Sequence, residues 1–146
     1  MPAAATLVWL RQDLRLADNP ALAAARARGA PVLPVFVWAP QEEGDWAPGG
    51  ASRWWLHHSL AALDGELRAR GSRLVIRRGA SGEELARLVR ETGAGAVLWN
   101  RRYEPAARAR DEAVAAGLSA RGVAVGAHGA ALLHEPARLV NREGRP

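Results

Sequence analysis

Polar chemistry in this 146-residue sequence gathers directly behind apolar runs. Arg11, Gln12, Asp13 and Arg15 follow the run Thr6 to Leu10, and Asn100, Arg101, Arg102, Tyr103 and Glu104 follow the run Ala96 to Trp99. A third run, Val32 to Trp38, ends on Phe36 and Trp38 before a turn-rich stretch from Pro40 to Gly50. Arg11, Phe36, Trp38, Asn100, Arg101 and Glu104 are therefore the candidate site residues, expected to converge at one end of a sheet. Their chemistry suits a flat ring. Phe36 or Trp38 supplies an apolar wall, Glu104 accepts a hydrogen bond from a ring N–H or hydroxyl, and Arg11 or Arg101 attracts an acidic tail. The alternative is that Arg11, Asp13, Arg101 and Glu104 pair with one another at the sheet edge and leave no cavity.

Several chemistries are excluded by residue type. Cysteine is absent, which removes disulfides, thiolate metal sites and cysteine nucleophiles and fits a reducing compartment. All twenty cationic residues are arginine, so phosphate-loop and Schiff-base lysines are excluded too. The first apolar run leads into Leu10-Arg11-Gln12 and not into a glycine-rich turn, which argues against a dinucleotide fingerprint. His57 and His58 are neighbours, about 100° apart on a helix, and His128 and His134 do not supply a ligand spacing; no metal is expected. No serine lies in a nucleophile-elbow context. The net charge of +5 is compatible with nucleic acid or a phosphorylated ligand, but no segment concentrates arginine without nearby acids. Of the six tryptophans, Trp9, Trp99, Trp54 and Trp55 are expected in the core, whereas Trp38 is placed to wall a pocket.

The elements that must position these residues alternate. Strands are expected at Thr6 to Leu10, Val32 to Trp38, Arg73 to Arg77, Ala96 to Trp99 and Val123 to Ala127. Pro34 suggests an edge or a bulge near the start of the second. Between them run a helix capped by Asn19 and Pro20, a helix capped by Ser52 with a stripe of Leu56, Leu60, Leu63 and Leu67, a helix opened by a Ser81/Glu84 capping box, and a helix opened by Pro105. Glycine ends each helix and a strand follows. That rhythm predicts right-handed βαβ units: a three-layer, doubly wound, Rossmann-like α/β fold with a mainly parallel five-stranded sheet of order 3-2-1-4-5. Trp9, Val35, Leu60, Leu88 and Val97 should be mostly buried. Residues 129–146 show no period and read as a connection leading elsewhere. The start is unlike a signal peptide and no run reaches the roughly 20 apolar residues of a membrane helix, so no membrane is expected and the expected location is the cytoplasm.

Four stretches carry a family resemblance: LVWLRQDLRLADNPAL at 7–22, SRWWLHHSLAALDGELRARGSRLVIRRG at 52–79, WNRRYEPAARARDEAV at 99–114 and LLHEPARLVNREGRP at 132–146. In order and over nearly the whole chain, they resemble the amino-terminal α/β domain of DNA photolyases and cryptochromes. The resemblance implies an antenna domain at 1–128 and the start of an interdomain connector at 129–146. The helical domain holding FAD and gripping damaged DNA would lie in the whole protein, as would the flavin pocket and tryptophan relay. For that whole protein it implies light-driven splitting of cyclobutane pyrimidine dimers, a carbon–carbon lyase reaction, and for the present residues alone none. Its expected partners are its own FAD domain and, through it, damaged DNA. Family antennas include methenyltetrahydrofolate, deazaflavins and flavins. Ala106 and Ala107 depart from the YE-x-NE-xx-RD pattern of folate binders, whereas Glu104-Pro105 looks like the deazaflavin-type arrangement. A deazaflavin or flavin is thus favoured over folate. The other readings are a cryptochrome-type photoreceptor domain and a stand-alone ligand-binding α/β domain.

Overall fold

Asn19 and Pro20 start the first helix as their types predict. In the computed structural model, which describes residues 4–142 and 144, α1 spans Pro20–Ala27 and the Asn19 side chain accepts from the Leu22 N–H at 3.2 Å. The outermost positions of the two expected segments, residues 1–3, 143, 145 and 146, lie outside the described residues. The strands are β1 (Thr6–Leu10), β2 (Val32–Trp38), β3 (Val75–Arg78), β4 (Ala96–Asn100) and β5 (Ala124–His128). The remaining helices are α2 (Gly50–Arg68), α3 (Ser81–Thr92) and α4 (Pro105–Ser119), with short 3-10 segments at Pro40–Trp46 and Pro136–Arg138.

All four strand pairings are parallel and the order is β3-β2-β1-β4-β5, as the helix–glycine–strand rhythm predicts. Parallel neighbours need a crossover, and successive crossovers place α1 and α2 on one face and α3 and α4 on the other. The core is accordingly double. Val8, Leu10, Phe36 and Leu98 pack with Ala21, Ala25, Leu63 and Leu67 on one face. Leu7, Trp9, Val97 and Trp99 pack with Leu85, Leu88, Val114 and Leu118 on the other. Every residue of β1 and β4 is buried, which is why both read as unbroken apolar runs. Trp9 and Trp99 meet edge to face at 5.6 Å, a geometry worth about 0.5–1.5 kcal/mol beyond burial.

Three local expectations need correction, and a fourth holds: Pro34 marks an edge position near the start of β2. It sits in register opposite Val8, and β3 joins β2 only from Val35, so at Pro34 the internal strand has a single neighbour. Gly49, not Ser52, occupies the N-cap of α2, with no side-chain cap. The capping box at α3 does not form either: Ala80 is the N-cap, and Glu84 pairs with Arg87 at 3.0 Å. Trp54 and Trp55 lie outside the core, 60% and 68% exposed; of the α2 stripe Leu63 and Leu67 are buried, and Leu56 and Leu60 pack only partly against the same core. Leu60 is accordingly half-buried, while Trp9, Val35, Leu88 and Val97 are buried as expected.

Candidate functional site

The carboxyl ends of β1, β2 and β4 lie side by side, and each delivers polar or aromatic groups there. Arg11 leaves β1 into a buried position, where its guanidinium forks onto Asp111 of α4 at 2.9 and 3.1 Å and also donates to the Asn100 carbonyl. Taking Arg11 out of water lowers its pKa from the ordinary value, and Asp111 works against that shift. A charge chain continues from this pair. Arg110 donates to Asp111 at 3.2 Å and to Glu43 at 3.1 Å, and Arg102 forks onto the same Glu43 at 2.7 and 3.0 Å. Burial would raise the Glu43 pKa, but its hydrogen bonds to Arg102 and Arg110 outweigh that and hold it below the usual carboxylate value. Arg102 is held protonated in turn: burial opposes its charge, and Glu43 and Glu104 more than restore it. Arg11 and Arg110 lie over the ring of Trp9, at 4.2 and 5.2 Å from its centroid.

Trp9, Arg11, Glu43 and Arg102 help line one side of a cleft of about 490 Å³. Phe36, Trp38 and Pro40 from β2 and its continuation, with Trp55 and Leu56 from α2, line the rest. Trp46, 89% exposed, reaches the cleft from the solvent side. The volume suits a ring system of cofactor size. Five buried side-chain nitrogens find no hydrogen-bond partner among the described residues. Three of them, Trp9 Nε1, Arg11 Nε and Arg102 Nε, belong to residues lining this cleft; the others are on Arg77 and His128.

The six candidates do not converge on a single cavity. Phe36 and Trp38 line the cleft just described, while Asn100, Arg101 and Glu104 line a neighbouring one of about 570 Å³ with Asp13 and Arg15. Arg11 lines both. Their partners explain the division. The Asn100 amide donates to Asp13 at 2.6 Å and to Asn19 at 2.8 Å, and its oxygen accepts from the Ala21 N–H at 3.0 Å. It locks β4 to the start of α1. Arg101 pairs with Glu135 at 3.3 Å, and Glu104, 54% exposed, pairs with Arg102 at 3.0 Å. The expected alternative pairing of Arg11, Asp13, Arg101 and Glu104 among themselves does not occur: Asp13 serves the Arg11 N–H and the Asn100 amide.

Glu43, Arg110, Asp111, Trp46 and Trp55 escaped the sequence reading. The available signal was the Glu42-Glu43 pair immediately behind the second strand, where an open α/β sheet places its ligands. Among the described residues no group of three or more His, Cys, Asp and Glu could hold a metal ion, and no described helix is long and apolar enough to cross a membrane.

The DNA photolyase family model matches residues 6–146. The chain belongs to the DNA photolyase family. It is similar to a deoxyribodipyrimidine photo-lyase of Agrobacterium fabrum, 47% identical over 98% of this chain and 29% of that protein. It is also similar to Cryptochrome-1 of Arabidopsis thaliana, 46% identical over 97% of this chain and 21% of that protein. A crystal structure of a class III photolyase from Agrobacterium tumefaciens superposes with a TM-score of 0.91 at 46% identity, covering 100% of this chain and 30% of that one. A photolyase from Sulfolobus tokodaii, described with two FAD molecules and a novel light-harvesting cofactor, gives 0.84 at 28% identity, covering 94% and 32%. The chain thus spans less than a third of the length of these relatives.

Proposed function

We propose that this chain is the antenna domain of a deoxyribodipyrimidine photolyase and that the Phe36/Trp38 cleft holds a flat chromophore. One observation carries the reading: a cleft of about 490 Å³ at the carboxyl end of the sheet, walled by Phe36, Trp38, Trp46 and Trp55. Glu43 and Asp111 offset most of the charge of Arg11, Arg102 and Arg110, so a ligand would be held chiefly by stacking and hydrogen bonding beside a small positive surplus. Phe36 and Trp38 would wall the ring, and Trp46 and Trp55 would close over it and exclude water.

A deazaflavin or flavin suits these groups better than methenyltetrahydrofolate, whose family pattern Ala106 and Ala107 lack. Bound there, such a chromophore would absorb light on behalf of an FAD held elsewhere in the whole protein. Residues 129–146 would begin the connector to that FAD domain, which would grip dimer-containing DNA and carry the repair chemistry. These residues alone would then repair nothing. A second reading, a cryptochrome-type photoreceptor, draws support from the Arabidopsis match, whose identity nearly equals that of the photolyase match. Repair of dimer-containing DNA by the illuminated whole protein separates the two.

The direct test titrates an 8-hydroxy-deazaflavin, FMN and methenyltetrahydrofolate into the chain and follows tryptophan quenching. Saturable uptake of the deazaflavin or FMN, tighter than of the folate, is expected. Tighter uptake of the folate would overturn the chromophore class, and uptake of none would overturn the antenna reading.

A further inference from the structure

Two indoles stand in solvent at the mouth of the Phe36/Trp38 cleft, Trp55 at 68% and Trp46 at 89% exposure. Trp55 belongs to α2, whereas Trp46 ends the 3-10 segment Pro40–Trp46. That segment is broken at Gly44, whose φ of +55° and ψ of −132° are open to glycine and disfavoured for other residues. The chain ahead of the break is fastened twice: Glu42 accepts from the Ser81 N–H and hydroxyl at 2.7 and 2.5 Å, and Glu43 accepts from Arg102 and Arg110 at 2.7 and 3.1 Å. Behind the break, residues 44–47 are all exposed, and the Ala47 N–H turns back to the Gly44 carbonyl at 3.2 Å. Pro48 then returns to line the cleft, and α2 opens at Gly49 and Gly50 with no side-chain cap. A Cβ on Gly44 or Gly49 would meet nothing within 4 Å, so neither end of this turn is wedged by a neighbour.

We infer that residues 44–48 form a hinged lid, pivoting at Gly44 and Gly49, whose Trp46 swings onto the ring of a bound chromophore and sets how long it stays. A fixed wall is packed from behind; Trp46, in water over most of its surface, is not. With a ring in the cleft, closing exchanges exposed indole surface for face or edge contact with that ring. With the cleft empty, the same movement would leave a void beneath the indole, so the open position is the resting one. Glu42 and Glu43 hold one end and α2 the other, so the swing leaves the charge chain and the sheet undisturbed. A lid is of use only to an occupied cleft, so it rests on the chromophore reading.

Trp46→Ala is the informative variant, since so exposed a side chain supports no core. An 8-hydroxy-deazaflavin and FMN are offered separately to the native chain and to the variant, and association and dissociation are followed by the fluorescence of the added compound. For whichever binds, Trp46→Ala should speed dissociation by at least about tenfold and leave association within about twofold. Leu133→Ala, which removes a side chain 93% exposed and outside the cleft, should leave both rates within about twofold. Amide exchange at residues 44–47 should slow by at least about fivefold when the native chain is saturated, and should keep its unliganded rate in saturated Trp46→Ala. Unchanged exchange there in the native chain, equal slowing in the variant, or equal dissociation rates would overturn the lid, while uptake itself would still support the chromophore reading. Equal acceleration by Leu133→Ala would also overturn it. Uptake of neither compound by the native chain would overturn both.

Discussion

Glu43 is the residue on which the electrostatics of the chromophore cleft turn, because it alone joins Arg102 to Arg110. Both arginines stabilise its ionised form, so its folded pKa lies below the ordinary carboxylate value of about 4.3. A carboxylate depressed on folding adds stability above its unfolded pKa and loses it as pH falls through the folded value. Denaturant unfolding between about pH 3 and pH 5 should therefore show stability falling steeply with acid in the native chain, and less steeply in Glu43→Gln. Equal slopes would mean that the Glu43 ion pairs do not survive in solution. At this scale the sequence was informative about position and silent about partners. Arg11 and Asn100 stood out because each follows an apolar run directly, but Asp111 and Asn19 lie 100 and 81 positions away along the chain. Glu104 drew attention by motif likeness; the structure turns it toward Arg102 and the neighbouring cleft.

Among the elements, the 3-10 segment Pro40–Trp46 ties the two faces of the site together. Its Glu43 reaches Arg102 and Arg110, and its Glu42 caps α3 through Ser81. A carboxylate at a helix start satisfies orphan N–H groups and faces the positive end of the helix dipole. Glu42→Ala should cost about 1–2 kcal/mol in denaturant unfolding and speed amide exchange at Ser81, where the cap is lost. Unchanged exchange there would show that another group caps α3. The misread capping box has the same physical origin. Ser81 and Glu84 have the right spacing, but a carboxylate 39 positions upstream occupies the site first, and local spacing carries no trace of it. The exposed Trp54 and Trp55 differ from expectation for a related reason: residue type argues for burial, yet burial depends on which residues of α2 the core reaches, here Leu63 and Leu67 fully and Leu56 and Leu60 in part.

At the level of the molecule, the topology was readable because each of its determinants is local. Apolar runs of strand length, helix starts at Asn19-Pro20 and Pro105 and stops at glycine define four crossovers, and handedness then restricts the order they can take. Gly93 shows the stop at work: it takes φ +66° and its N–H closes α3 on the Val89 carbonyl at 2.9 Å. The cleft was less readable, since it forms where three strand ends, a 3-10 segment and three helices meet and its partition from the neighbouring cleft depends on long-range pairs. Which of the two clefts takes the chromophore is the claim on which the functional reading rests. Comparing uptake of a deazaflavin by the native chain, Trp38→Ala and Glu104→Ala tests it most directly. Trp38→Ala should weaken uptake by about tenfold or more through loss of the ring wall, and Glu104→Ala should stay within about twofold. The reverse ranking, with Glu104→Ala the damaging change, would move the chromophore to the Asn100/Arg101/Glu104 cleft and contradict the assignment made from the aromatic walls.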